Sequence, residues 1–151
     1  MQLFGKLILA LAVFTGGSML FADPACSLAT LRGDYGFTIT GQILQNPLPA
    51  NIGPVAGVAM TYFDGNGNLT QVDHVVHNGS VPADEWRPAT GSYTVNADCT
   101  GTMTIVFSDG SPAMHLHIVI THLGDGVLTV VDGPVAIRSI GTRSGWPSNQ
   151  P

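Results

Sequence analysis

Lysine disappears from this chain after Lys6, and charged residues of any kind make up only 10% of its 151 residues. The basic residues that remain are Arg32, Arg87, Arg138 and Arg143, set against ten acidic ones. No basic patch exists to neutralise phosphates, so nucleic acid is not an expected partner. An anionic membrane surface likewise finds little to attract. Cysteine is as scarce: Cys26 and Cys99 stand alone, with no Cys-x-x-Cys arrangement, and a redox-active role is not expected. Sustained helical apolar periods are missing too.

What is present begins with an export signal. Lys6 is followed by an apolar run, Leu7 to Phe14, then Gly16, Gly17 and Ser18, and Leu20-Phe21-Ala22 offers a cleavage site. The run is too short for a membrane helix, which needs about 20 apolar residues. A retained anchor helix is the alternative. Residues 1–22 are therefore expected to be a signal peptide, and residues 23–151 a single domain, secreted or periplasmic, with no membrane contact after signal removal. A lipid anchor on Cys26 is disfavoured, because Asp23-Pro24-Ala25 precedes it. In an oxidising compartment, Cys26 and Cys99 are expected to pair. In the chain-entropy description such a bond stabilises by about 4 kcal/mol.

The mature chain reads as strands and turns. Strands are expected at 34–44, 55–63, 69–77, 90–96, 102–107, 114–121, 127–131 and 135–140. Turn signals separate them, among them Asp64-Gly65-Asn66-Gly67-Asn68, Gly124-Asp125-Gly126 and Asp132-Gly133-Pro134. Pro47-Leu48-Pro49 breaks the first pair, and a polar excursion over 78–88 separates the third strand from the fourth. Eight hairpin-linked strands must dispose of two sheet edges, and closure into a barrel removes both. The expected fold is an all-β, antiparallel, eight-stranded up-and-down barrel, with a two-sheet sandwich as the alternative. Period-2 alternation puts a Met/Ile/Phe face inside: Phe37, Ile39 and Ile43; Met103, Ile105 and Phe107; Met114, Leu116, Ile118 and Ile120. A barrel of this size either packs its interior or holds one small ligand.

Two stretches, Cys26 to Phe37 and Gly91 to Thr102, together with the Phe63 to Leu69 hairpin, resemble a family of small exported bacterial proteins to which no activity is attached. The resemblance covers most of the mature chain and transfers no catalytic residue. In outline the chain is also similar to lipocalin, avidin and allene oxide cyclase barrels. Gly33-Asp34-Tyr35 stands where a lipocalin carries Gly-x-Trp.

Three constellations bear on chemistry. His115 and His117 share a strand face, and a third ligand such as His77, Asp73 or His122 would complete a zinc-type site. Surface or packed histidines are the plainer reading, since Met114, Leu116 and Ile118 make the better core face. Asp64-Gly65-Asn66-Gly67-Asn68 matches the first half of a calcium loop. It lacks the loop glycine and the bidentate glutamate, and it also suits a tight hairpin. The loop Asp84-Glu85-Trp86-Arg87 joins acid, base and aromatic at what would be a barrel rim. No serine elbow, phosphate loop or catalytic cysteine arrangement occurs, and no cofactor is expected.

Three functions remain open. The first is a small apolar ligand bound among Phe37, Ile39, Met60, Met103 and Met114, with Trp86 at the rim. The second is a cyclase or isomerase of barrel type, or a metal-dependent enzyme. The third is a surface or matrix protein without a small ligand.

Overall fold

The computed structural model describes residues 25–45 and 52–145. The expected signal peptide, the Pro47–Pro49 break and Trp146 lie outside the described residues. Eight strands run in order: β1 (Arg32–Ile43), β2 (Gly53–Asp64), β3 (Asn68–His77), β4 (Arg87–Val95), β5 (Thr100–Phe107), β6 (Met114–Thr121), β7 (Gly126–Val131) and β8 (Val135–Arg143). Each pairs antiparallel with its neighbour, and β1 pairs with β8, closing the barrel. The up-and-down barrel is therefore the fold, and the sandwich is not. Closure satisfies every edge at once, which a chain of hairpins otherwise cannot do.

The β2–β3 hairpin shows how sequence makes these joints. Asp64 accepts hydrogen bonds from the backbone N–H of Asn66 (2.7 Å) and Asn68 (3.0 Å), and from Asn68 Nδ2 (2.7 Å). These bonds hold its carboxyl below the usual carboxylate range, the Asn68 side chain contributing most. Gly65 and Gly67 take φ of 79° and 101°, which only glycine adopts freely. The segment is a self-satisfied turn whose acidic oxygens face its own amides.

Alternation along the strands fills the inside. At one end the aromatic rings of Tyr35, Phe63 and Tyr93 meet edge to face, with centroids 5.2 and 5.1 Å apart. Leu31, Leu69, Ile118, Ile120 and Val127 complete this core. A 3-10 turn, Leu28–Thr30, caps it from outside the sheet. The Tyr93 hydroxyl donates to the carbonyls of Leu31 (2.9 Å) and Leu28 (3.1 Å), and the Tyr35 hydroxyl donates to the Gly124 carbonyl. Burial raises both phenol pKa values.

Cys26 and Cys99 form a disulfide that ties the segment before this cap to the β4–β5 turn, with Cα atoms 5.0 Å apart. Arg143 finishes the seal. Its guanidinium donates to the carbonyls of Arg32, Thr30 (3.2 Å) and Gly124 (3.0 Å), its Nε donates to Asp125 (3.1 Å), and it lies over the Tyr35 ring.

The opposite end carries a second, smaller cluster of Ile43, Val55, Val75 and Ile137. It has no cap of this kind among the described residues. The β3–β4, β5–β6 and β7–β8 connections surround it.

Candidate functional site

Between the aromatic floor and the opposite end of the barrel lies an apolar-walled cavity of about 70 Å³. Several times the volume one water needs, it opens toward wider hollows among the end loops. Phe37, Ile39, Met103 and Met114, all expected on the lining, do line it, with Val55, Ile105, Leu116 and Ile137. A small residue makes room: Ala59, on the lining, stands directly across from Asp73, whereas the space over Gly57 is filled by Val75.

Met60 is a correction. It lies on the outer wall, 43% exposed. Because Phe63 pairs with Leu69 at the hairpin and both are buried, the inward positions of β2 are Val55, Gly57, Ala59, Thr61 and Phe63. Met60 falls on the opposite phase.

Trp86 is a second correction. It is exposed, and its ring meets His74 edge-on at 6.2 Å rather than bordering the cavity. His74 in turn shares the outward phase of β3, its Nδ1 2.6 Å from the Glu85 carbonyl oxygen.

The same phase rule puts a polar strip on the inner wall beside the expected apolar lining. Counting inward from the floor, β3 presents Leu69, Gln71, Asp73, Val75 and His77. Two polar residues and a histidine thus face inward, while Val72 faces out. Asp73 is only 3% exposed. It is paired across the sheet with Arg87, the first residue of β4. Arg87 Nε donates to Asp73 Oδ1 and Nη2 to Oδ2, both at 3.0 Å, and Nη1 reaches Asp109 at 3.3 Å. The guanidinium also lies 3.8 Å over the Phe107 ring. Burial opposes the charge on Arg87, but the hydrogen bonds and charges of Asp73 and Asp109 outweigh it and raise the guanidinium pKa, so Arg87 stays charged.

One turn of the alternation deeper, Thr61 donates to Gln71 Oε1 at 2.8 Å. At the rim, burial and the Arg87 charge depress the His77 imidazole pKa, so it is neutral at pH 7.

The proposed histidine triad does not assemble. His115 and His117 point outward from β6, whereas His77 lines the cavity mouth. His115 Nδ1 lies 3.1 Å from Thr104 Oγ1, and His117 Nδ1 lies 3.0 Å from Asp132. Among the described residues, no three His, Cys, Asp or Glu side chains are grouped so as to hold a metal.

The geometry thus defines an eight-stranded up-and-down barrel, stapled and plugged at one end and, among the described residues, hollow at the other. Compared with known proteins, the chain matches no family model, no curated protein and no solved structure. No helix among the described residues is long and apolar enough to cross a membrane. The disulfide accords with an oxidising environment.

Proposed function

We propose that this is an exported binding protein of lipocalin-like architecture, secreted or periplasmic, that takes one small, largely apolar molecule into the barrel through its uncapped end. The observation that carries the reading is the one-ended cavity, with walls of Phe, Ile, Leu, Val and Met and a few convergent polar groups. Titrating the oxidised, ¹⁵N-labelled protein with a small aromatic hydrocarbon such as ethylbenzene tests it. Saturable shifts are expected at Ile39, Val75, Met114 and Ile137, and Ala59→Leu, which fills the space opposite Asp73, should weaken them at least tenfold. Shifts that never saturate, or that map only to outward residues such as Val58 and Ile140, sink the reading.

One observation favours a second reading, a barrel-type isomerase or cyclase. The neutral His77 imidazole has no side-chain partner among the described residues and shares the wall with the Asp73–Arg87 pair, as a positioned base requires. A bound molecule recovered chemically unchanged after prolonged incubation would remove it.

A further inference from the structure

The interior polar groups differ in how far they are satisfied, and the difference specifies the ligand. Both Asp73 oxygens are taken by Arg87, and Arg87 turns its remaining nitrogen to Asp109. No buried charge is left over to meet a second one. Among the described residues, a ligand cation or anion would therefore enter without a buried counter-charge.

Gln71 is different. It is 9% exposed, its Oε1 is engaged by Thr61, and its Nε2 donates to nothing among the described residues. No occluded side-chain polar atom among the described residues lacks a hydrogen bond. The free amide therefore looks onto open space, and the space it borders is the cavity. Thr61, fully buried, holds the amide plane in place from across the β2–β3 pair.

We infer that the cavity selects a neutral, mainly hydrocarbon molecule carrying one hydrogen-bond-accepting oxygen (a ketone, aldehyde, ether or alcohol), and that Gln71 Nε2 is its specificity-determining donor. The inference rests on the binding reading above. Apolar walls supply most of the affinity without preference. A buried donor that must otherwise stay dry or hold a water discriminates by hydrogen bonding.

Four probes of similar size separate the possibilities: ethylbenzene, acetophenone, benzoate and benzylammonium, each titrated into the oxidised protein and into Gln71→Met. Acetophenone is expected to move the Gln71 side-chain amide proton resonances in the native protein, and ethylbenzene to leave them in place. Gln71→Met should weaken acetophenone about tenfold, the size of one neutral hydrogen bond, while ethylbenzene holds or gains. Benzoate and benzylammonium should bind at least tenfold more weakly than acetophenone.

Equal factors for ethylbenzene and acetophenone on Gln71→Met, silent amide protons with acetophenone, or a charged probe that binds tightest would each overturn the inference while leaving the binding reading intact. If neither neutral probe saturates, both fall. The amide resonances of the native protein decide the matter even if Gln71→Met does not fold.

Discussion

The two ends of this barrel use the same device to opposite effect. Each carries an arginine laid over an aromatic ring: Arg143 over Tyr35, Arg87 over Phe107. Arg143 directs its donors largely to backbone carbonyls of two segments, Thr30–Arg32 and Gly124, which sit across the barrel end. It therefore ties the cap down. Arg87 spends its donors on two carboxylates, one buried in the wall and one on the β5–β6 connection. It therefore stiffens the rim without covering it. Whether an arginine seals or frames an opening depends on whether its acceptors belong to chain crossing the axis or to side chains standing on the wall.

The sharpest way to break this contrast is to remove each arginine in turn. Arg87→Met leaves the Asp73 carboxylate buried and unpaired, and should destabilise by about 3–5 kcal/mol in denaturant unfolding. Arg143→Met strips hydrogen bonds from partly exposed carbonyls, and should cost only about 1–2 kcal/mol. Replacing both members of the buried pair, Asp73→Leu with Arg87→Met, should recover most of the loss. If Arg143→Met proved the more damaging, the assignment of roles would be reversed.

The disulfide sharpens the comparison from the sealed side. Its partners are 73 residues apart in sequence, and reduction should lower stability by about 2–4 kcal/mol. Hydrogen exchange after reduction should rise first at Leu28–Thr30 and the β4–β5 turn, with Val75 and Ile137 at the mouth following later. Uniform loss of protection would mean that the two ends do not open separately.

Acid acts on the open end. Burial holds the His77 pKa in the fold below its ordinary value of 6.5, so the unfolded chain takes up that proton first. The neutral His77 thus stabilises above that ordinary value, and the benefit fades as pH falls through it toward the lower folded value. Arg87 pushes in the same direction and Asp73 opposes it. The melting temperature should fall on going from pH 7.5 to 5, and His77→Gln should shrink that fall. An unchanged pH dependence in His77→Gln would remove the effect from the mouth.

The smallest change belongs to the sealed end. Leu123 is 83% exposed and holds a left-handed φ of 56° in the β6–β7 connection. Leu123→Gly should stabilise by up to about 1 kcal/mol, seen as a slightly higher midpoint.

Much of the barrel was legible because its turns are chemically explicit and its clearest strands alternate cleanly. Met114–Thr121 coincides with β6 residue for residue. Elsewhere the local cues stopped short of the pairing. Pro88 suggests that the loop continues, yet β4 starts at Arg87, because the ladder opposite Asp73 extends that far and a proline is tolerated near a strand's start. The last strand is expected to stop at Ile140, yet Gly141 is an inward residue of β8 packed against the Phe37 ring, and the strand runs on to Arg143.

The candidate site was half visible. Its apolar walls follow from alternation, but its polar strip does not. In β3 the valines at 72 and 76 lie on the outward phase, while Leu69 and Val75 share the inward one with the glutamine and aspartate, so hydrophobicity alone leaves the phase unset. Running the register back from the Phe63–Leu69 pair would have put Thr61 beside Gln71 and Met60 outside. The Asp73–Arg87 contact closes the β3–β4 hairpin across its long polar connection, and no turn signal in that connection sets its register.

The pairing of β1 with β8 also sets a clock. Tyr35 faces Arg143 and Ile43 faces Val135, partners about as far apart along the chain as the described sheet permits. Seven hairpin contacts can form locally, but the eighth must wait for both margins to arrive, and a sheet that closes on so distant a pairing is expected to fold in milliseconds to seconds rather than microseconds. Until then the nascent sheet has two live edges and an exposed apolar face. The final clasp, not any hairpin, therefore marks the moment at which the chain ceases to be adhesive and acquires an inside.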